Sequence, residues 1–454
     1  EDTGIHIEFI HPTIGQENEQ FNLMIASRGL PDMVGWAWQY YTGGAEKAID
    51  DNIIIKLNDL MDANTPNFKK AMENQDYDRQ SKTDTGIYFG FPALNVGPYR
   101  TFGGILIRKD LLDKADLEVP VTIDEWETVL RTFKDMGIEY PFTGDSNMFA
   151  MGYVNTFNNA FHVGKTLYIN NDVVKYGPIE PAYQEWIALM NRWYEEGLLD
   201  KDYATNGAAA VNAKMIDGTA GACFGYIGGH LGTYLASNEN SDYNLVGAPY
   251  PSATKGELAS FAALEPDAND PFLAITTACK DPEAATQWAD FWYSDEGVDM
   301  INFGVKGESY NMVDGKHVYT DEILHNPDGL SIREALSLYC RATDAAPGFR
   351  QDQEYLEQYY PYQQQMDALN LWAESTDNVR KHTMPAVSPL LEESSEISIL
   401  ETDISTYVSE NVVKFVQGTR PMSEFDDFVS TLKSMGVDRY IEIYQAAYDR
   451  YLNK

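Results

Sequence analysis

Hydrophobic and polar positions repeat with two different periods along this chain. At the start Ile5, Ile7 and Phe9 alternate with polar neighbours, which predicts a strand with one buried face. QENEQFNLMIAS (16–27) spaces its apolar residues as a helix, and PDMVGWAW (31–38) returns to alternation as the next strand. Residues 45–75 read as mainly helical, followed by strands at TGIYFGFPA (85–93) and FGGILIRK (102–109). Thr122 and Glu125 form a capping-box signature, in which hydroxyl and carboxylate each satisfy an orphan backbone N–H, and the helix it opens ends near Gly137. Strands alternating with helices predict an α/β protein with parallel sheets covered by helices.

The middle of the chain keeps this mixture. PAYQEWIALMNRWYEEG (181–197) is an amphipathic helix with Pro at its start and Gly at its stop. Residues 243–250 and 272–277 read as buried strands, and NMVDGKHVY (311–319) as a hairpin, because Asp314-Gly315 suits a type I′ turn. Beyond about residue 330 the pattern is nearly all helix. No internal repeat, low-complexity tract or flexible linker interrupts it, so any lobes are joined by a chain that crosses between them more than once.

Length and charge narrow the class. At 454 residues the chain exceeds what one ordinary core supports, which predicts two or more lobes. Its 33 basic against 70 acidic residues leave a net charge of −37, which repels phosphate backbones and anionic headgroups and argues against a nucleic-acid or membrane-surface partner. Cys223, Cys279 and Cys340 show neither metal nor redox spacing, and they fix no compartment. No apolar run approaches the roughly 18–20 residues of a membrane span. The opening EDTGIHIEF shows no signal peptide and reads as a processed or trimmed start.

Catalytic and cofactor signatures are absent. HVGKT (162–166) resembles a phosphate-binding loop, but the leading glycine it needs falls on Asn159. No HExxH, EF-hand loop, GxSxG or GxGxxG occurs, and His6, His11, His162, His230, His317, His325 and His382 show no ligand spacing. No cofactor and no metal are expected.

With those motifs excluded, the order of the remaining segments carries a resemblance. TGIHIEFIHP (3–12), FNLMIASRGLPDMV (21–34), GGAEKAIDDNIIIKLNDLM (43–61), GGILIRKDLLDKADLEVPVTIDEWETVLRTFKD (103–135), NRWYEEGLLDKDY (191–203), ACKDPEAATQWADFWYSDEG (278–297), FGVKGESYNMVDGKHVYTDE (303–322) and the tail from 415 to 451 resemble extracellular solute-binding proteins of bacterial ABC importers. The likeness is to the long, saccharide-binding, lipoprotein-type subgroup. It implies a two-lobed periplasmic-binding-protein-like fold with a hinge, a ligand cleft and a helical C-terminal extension. Residues 1–97 with 275–335 would form the first lobe, and 98–274 with 336–454 the second. The crossings would lie near 92–103 and in EPDANDPFLA (265–274). The resemblance further implies oligosaccharide capture outside the cell, delivery to an ABC permease, a monomer, and lipid anchoring in the parent protein. Some alginate- and fructan-binding relatives carry an Asp- and Gly-rich calcium loop; no such loop is present here, so no calcium is expected.

Sugar recognition needs flat aromatic surfaces for C–H faces and planar polar groups for hydroxyls. Trp36, Trp38 and Tyr40 are candidates on one side of a strand whose carboxyl end opens into the crevice, unless they fill a core. Asn95, Tyr99 and Arg100 lie at the expected hinge, where Arg100 either reaches ligand or forms an inter-lobe ion pair. Tyr226 and His230 in FGYIGGH, which reads as the opening of a helix, face the cleft or simply pack; Glu308 and Tyr310 reach it or sit on an edge hairpin; Arg350 completes the set. Trp186, Trp193, Trp288 and Trp292 sit at helical spacing as core, and the AYDRY tail reads as structural. Rival functions are a binding protein for peptide or another polar solute, a carbohydrate-active enzyme whose carboxylates sequence alone does not pair, and an adhesion or scaffolding protein.

Overall fold

The capping box forms as the spacing predicts. Thr122 Oγ1 accepts from Glu125 N at 3.4 Å, Glu125 Oε2 accepts from Thr122 N at 3.1 Å, and the helix runs Ile123–Asp135. The Asp314-Gly315 turn likewise places both residues at positive φ, 51° and 82°, the geometry a type I′ hairpin requires. Pro181 opens and Gly197, at φ 68°, closes the helix Pro181–Glu196. The computed structural model describes residues 4–13, 15–38, 41–150, 152, 154–340, 347–350, 352–387, 389–390 and 392–454.

Twelve strands are defined there: β1 (Met33–Trp36), β2 (Phe91–Asn95), β3 (Thr101–Arg108), β4 (Leu167–Asn170), β5 (Val173–Tyr176), β6 (Ala222–Tyr226), β7 (Leu245–Gly247), β8 (Ala263–Leu264), β9 (Ala268–Ile275), β10 (Tyr310–Val313), β11 (Lys316–Tyr319) and β12 (Gly348–Arg350). They build two four-stranded sheets, β1-β9-β2-β12 and β6-β3-β7 with β8 also on β3, plus the hairpins β4–β5 and β10–β11.

Each sheet has its own core. Trp38, Phe68, Phe91, Phe272 and Trp288 pack around the first. Trp126, Phe133, Phe157, Trp186 and Trp193 pack beside the second, and the helices Ser394–Val416, Phe425–Ser434 and Val437–Leu452 join them through Phe415, Phe428 and Tyr440. The α/β class and the helical C-terminal region stand as the pattern implies.

Three sequence expectations need correction. The sheets are not the parallel arrays that alternation implied: β9 runs antiparallel to both neighbours, and β3 pairs antiparallel with β6, β7 and β8. Periodicity reports which face is buried, not which neighbour supplies the hydrogen bonds, and here the strand returning from the second sheet inserts between β1 and β2. Parallel pairing persists between β12 and β2 and at bridges such as Thr143 with Cys223. Residues 4–13 form no strand; Ile5 and Ile7 pack on the first core. The strand expected at 85–93 lies instead at 91–95.

The chain passes between the sheets three times. It leaves β2 at Asn95 for β3, returns between Leu264 and Ala268, and departs again after β12 to the helix Gln363–Ala373, whose Trp372 Nε1 donates to Ala248 O beside β7 at 2.8 Å. Residues 268–274 and 348–350 therefore belong to the first sheet, whereas the expected division at 274/275 and 335/336 assigned them to the second lobe.

Candidate functional site

Where strands cross between sheets, their backbone ends lose ladder partners, and buried side chains take that role here. Asn95 ends β2; its Nδ2 donates to Pro266 O at 2.7 Å and its Oδ1 accepts from Arg350 Nε at 2.8 Å. Arg350 also lies 3.7 Å from Glu265. Beside this link, Asp267 receives Arg100 at 2.8 Å, Arg380 at 2.8 and 3.0 Å and Gln80 Nε2 at 3.0 Å. Gln80 Oε1 in turn accepts from Asp267 N at 2.7 Å. Charge-assisted bonds of this kind are the strong ones, and several share one buried carboxylate. Asn95, Arg100, Asp267 and Arg350 are each buried, so this network fixes the crossings and presents little to solvent.

One side of the crossing opens into a cavity of about 1220 Å³. Glu265, Pro266 and Asp267 line it; Phe102 and Leu264 come from the second sheet, Asn269, Asp270 and Phe272 from the first, and Phe89 from the first core just before β2. Tyr41 and the Gly43-Gly44 turn, both glycines at positive φ, bring the segment after β1 to its rim. The hairpin β4–β5 contributes Tyr168 and Tyr176, and Phe261 adds another ring. Helix Val437–Leu452 supplies Tyr440, Tyr444, Tyr448 and Tyr451, whose spacing of four, four and three residues puts all of them on one helical face. Burial pushes the Tyr168 phenol up to about 12, and those of Tyr176, Tyr440 and Tyr451 also upward. At neutral pH these phenols stay protonated and serve both as ring faces and as hydroxyl partners.

Polar groups are held in the same wall. Asn155 donates to Gly152 O at 2.9 Å and Ala262 O at 3.1 Å. Lys165 Nζ, buried, donates to Met148 O at 2.9 Å and to Val154 O; burial drives its pKa well below the usual lysine range, the Asp145 charge opposing. The residue that imitated a phosphate-binding lysine in the sequence thus anchors the backbone carbonyls of Met148 and Val154.

None of the predicted site residues with a described position lines this cavity directly. Trp38, expected to stack on ligand, is fully buried: its ring meets Phe21 edge-on at 5.5 Å and its Nε1 donates to Val34 O at 3.2 Å. The correction follows from the end of β1 at Trp36, after which the alternation no longer sets side-chain direction. Trp36 is half-buried and lies flat on Phe21, 4.0 Å between centroids at 7°. Tyr40 lies outside the described residues. Asn95, Arg100 and Arg350 tie the crossings, and Tyr99 packs on a further cluster that holds Leu369 and Trp372, donating to Asn370 Oδ1 at 3.0 Å.

Tyr226 stands one ring behind the wall, 5.5 Å from Phe102 and 5.0 Å from His230. Tyr226 N donates to His230 Nδ1 at 2.9 Å; burial lowers the imidazole pKa, with Asp145 opposing, so the ring is neutral with its proton on Nε2. Ile227–Gly232 winds as a π-helical turn, a feature frequent at functional sites. Tyr310 packs with Phe303 and Tyr319 in a separate cluster, and Glu308 is exposed beside that hairpin, so neither reaches the cavity. Trp186, Trp193 and Trp288 are core. The tyrosine face of the last helix was missed because tyrosines at helical spacing read equally as core. Among the described residues, no group of three or more His, Cys, Asp or Glu side chains is placed to hold a metal, and no helix is long and apolar enough to cross a membrane.

Two sheets with separate cores, three crossings and a cavity over the crossing define a two-lobed binding-protein architecture. The family described as bacterial extracellular solute-binding protein matches residues 1–299, and this chain belongs to it. Among curated relatives, the fructooligosaccharide ABC transporter substrate-binding protein FusA of Streptococcus pneumoniae is 23% identical over 99% of this chain and 85% of its own. Among solved structures, the alginate-binding protein AlgQ2 is 26% identical with a TM-score of 0.73, covering 95% of this chain and 89% of AlgQ2. An HMO-binding, ABC-transporter-associated solute-binding protein from Bifidobacterium longum infantis shares the fold at a TM-score of 0.77 and 20% identity, covering 99% of this chain and 93% of that protein.

Proposed function

We propose that this protein is the extracellular binding component of an ABC importer, which captures an oligosaccharide in the cavity over the crossing strands and delivers it to a permease. The observation that carries this reading is a cavity of about 1220 Å³ walled by tyrosine and phenylalanine from both sheets and from the last helix. Ring faces accept the apolar C–H faces of sugars, while protonated phenols and carboxylates meet the hydroxyls. The similarity to FusA, named for fructooligosaccharides, and to an HMO-binding protein supports the same ligand class.

In this reading Tyr41, Phe102 and Tyr168 stack on the ligand, Tyr226 backs Phe102, and the lobes close around it because it touches both. The division between lobes falls at the crossings 95–101, 264–268 and 359–363. The protein acts as a monomer at the cell surface, held in its parent form by a lipid anchor, and performs no chemistry on its ligand.

Titration calorimetry against a panel of neutral plant and host oligosaccharides tests the reading. Saturable binding with compaction in small-angle scattering is the expected result. Binding of peptides with silence towards every glycan overturns it. So does sustained hydrolysis of a bound glycan that disappears in Glu401→Gln, which would make the cavity an active site.

A further inference from the structure

The charges in the cavity wall are unequally committed. Among the described residues its cations are all occupied. Lys82 is held by Asp78 at 2.6 Å, and Arg380 is shared between Asp267 and Asp76, the latter at 3.7 Å. Lys165 spends its ammonium protons on Met148 O and Val154 O, and burial favours its neutral form. His382 directs Nδ1 to Ile169 O at 3.0 Å, which in the neutral ring leaves Nε2 as an acceptor.

One carboxylate is not balanced in this way. Glu401 projects into the cavity from helix Ser394–Val416, exposed to the solvent within it. Among the described residues its carboxylate has no hydrogen-bond or ion-pair partner. Its titratable neighbours are the phenols of Tyr176 and Tyr440, which carry no positive charge. Desolvation by its surroundings raises the Glu401 carboxyl above its ordinary value, as expected of a charge without compensation. The chain as a whole, at −37, adds a field of the same sign.

A ligand carboxylate entering this cavity therefore finds no uncommitted cation among the described residues and meets the unpaired Glu401 carboxylate. It loses its own hydration without replacement, and a buried unpaired charge is costly. A sugar hydroxyl meets the opposite situation, because an unoccupied carboxylate is a strong acceptor for O–H donors. Resting on the oligosaccharide reading above, we infer that the cavity selects uncharged glycans and rejects uronate- or sialate-bearing ones, with Glu401 as the residue that sets this selectivity.

The test is a matched pair of β-1,4-linked tetrasaccharides, mannotetraose and tetramannuronate, which differ only in oxidation at C6. They are titrated against the full chain at pH 7 in low salt, beside an array of neutral, uronate-bearing and sialylated glycans. Within the array, the glycans bound are expected to be neutral, and any acidic counterpart to bind at least tenfold more weakly. The gap should narrow as salt is raised, since screening weakens the repulsion. In Glu401→Gln the discrimination should fall by roughly three- to tenfold, the effect of one nearby charge in a partly hydrated site. A uronate or sialylated glycan binding as tightly as its neutral counterpart overturns the selectivity while leaving oligosaccharide capture intact. Discrimination unchanged in Glu401→Gln, with neutral binding retained, overturns the role of that residue. Silence across neutral and acidic glycans alike overturns the oligosaccharide reading, and the selectivity with it.

Discussion

Arg350 Nε lies 2.8 Å from Asn95 Oδ1, so the last residues of the register-paired strands β12 and β2 are tied through their side chains as well as through the sheet. Both are buried at the edge from which the chain leaves for the second sheet. Asn95→Ala removes the acceptor for Arg350 Nε and the donor to Pro266 O. The loss should be about 2–4 kcal/mol, because a buried charged donor is left with fewer acceptors. Urea denaturation measures it, and an unchanged midpoint would exclude the crossing network as a stabilising element.

The two tryptophans after the Pro-Asp turn should separate in their behaviour. Trp38→Ala opens a cavity in the first core and should cost about 3–5 kcal/mol. Trp36→Ala removes a half-buried ring stacked on Phe21 and should cost less, with a stacking contribution of about 0.5–1.5 kcal/mol. Denaturant midpoints of the pair check the order; equal losses would contradict the burial difference.

Gly104 faces the Trp372 indole so closely that an added Cβ would stand 2.5 Å from Cε2. Gly104→Ala should push the helix Gln363–Ala373 off β3 and cost about 1–3 kcal/mol as overpacking. Pairing it with Trp372→Phe, which trims the indole, should recover part of that loss in thermal unfolding. No recovery would place the strain elsewhere.

Acid sensitivity should appear at Asp200. Burial alone raises this carboxyl, but Lys214 Nζ at 2.6 Å, with Thr143, the Asp202 N–H and Asn206, outweighs it and holds it below its ordinary value. Its contribution is fully present above the unfolded value near ~3.9 and is lost as pH falls through the lower folded value. Asp200→Asn should therefore destabilise the protein at neutral pH, by an amount that shrinks below about pH 4. Denaturant midpoints across that range report the trend; a gap that widens in acid would reverse the sign.

His230 should titrate below an ordinary histidine, because burial lowers it and protonation of Nδ1 forfeits the bond from Tyr226 N. The stability linked to it is present above the unfolded value near ~6.5 and is lost as pH falls through the folded value. An NMR titration of its ring protons gives the answer directly, and a midpoint at or above ~6.5 would contradict the buried neutral tautomer.

Local chemistry was legible where neighbouring residues settle it. The Thr122–Glu125 cap, the Pro181 and Gly197 boundaries and the Asp314-Gly315 turn follow from rules spanning a few residues. The site was legible mainly as a region. The expected hinge residues lie at the crossing, yet Asn95, Arg100 and Arg350 bind other side chains there.

The sequence by itself determined the α/β class, the helical C-terminal region and the order of segments that marks the family, because periodicity, caps and turn residues act locally. Tertiary structure alone decided that β9 runs antiparallel between β1 and β2, that Trp38 is core, and that Tyr440, Tyr444, Tyr448 and Tyr451 face the cavity. Strand partners and the far side of a helix face are chosen by residues hundreds of positions away. An aromatic at helical or strand spacing looks the same in sequence whether it meets a neighbouring helix or an open cleft.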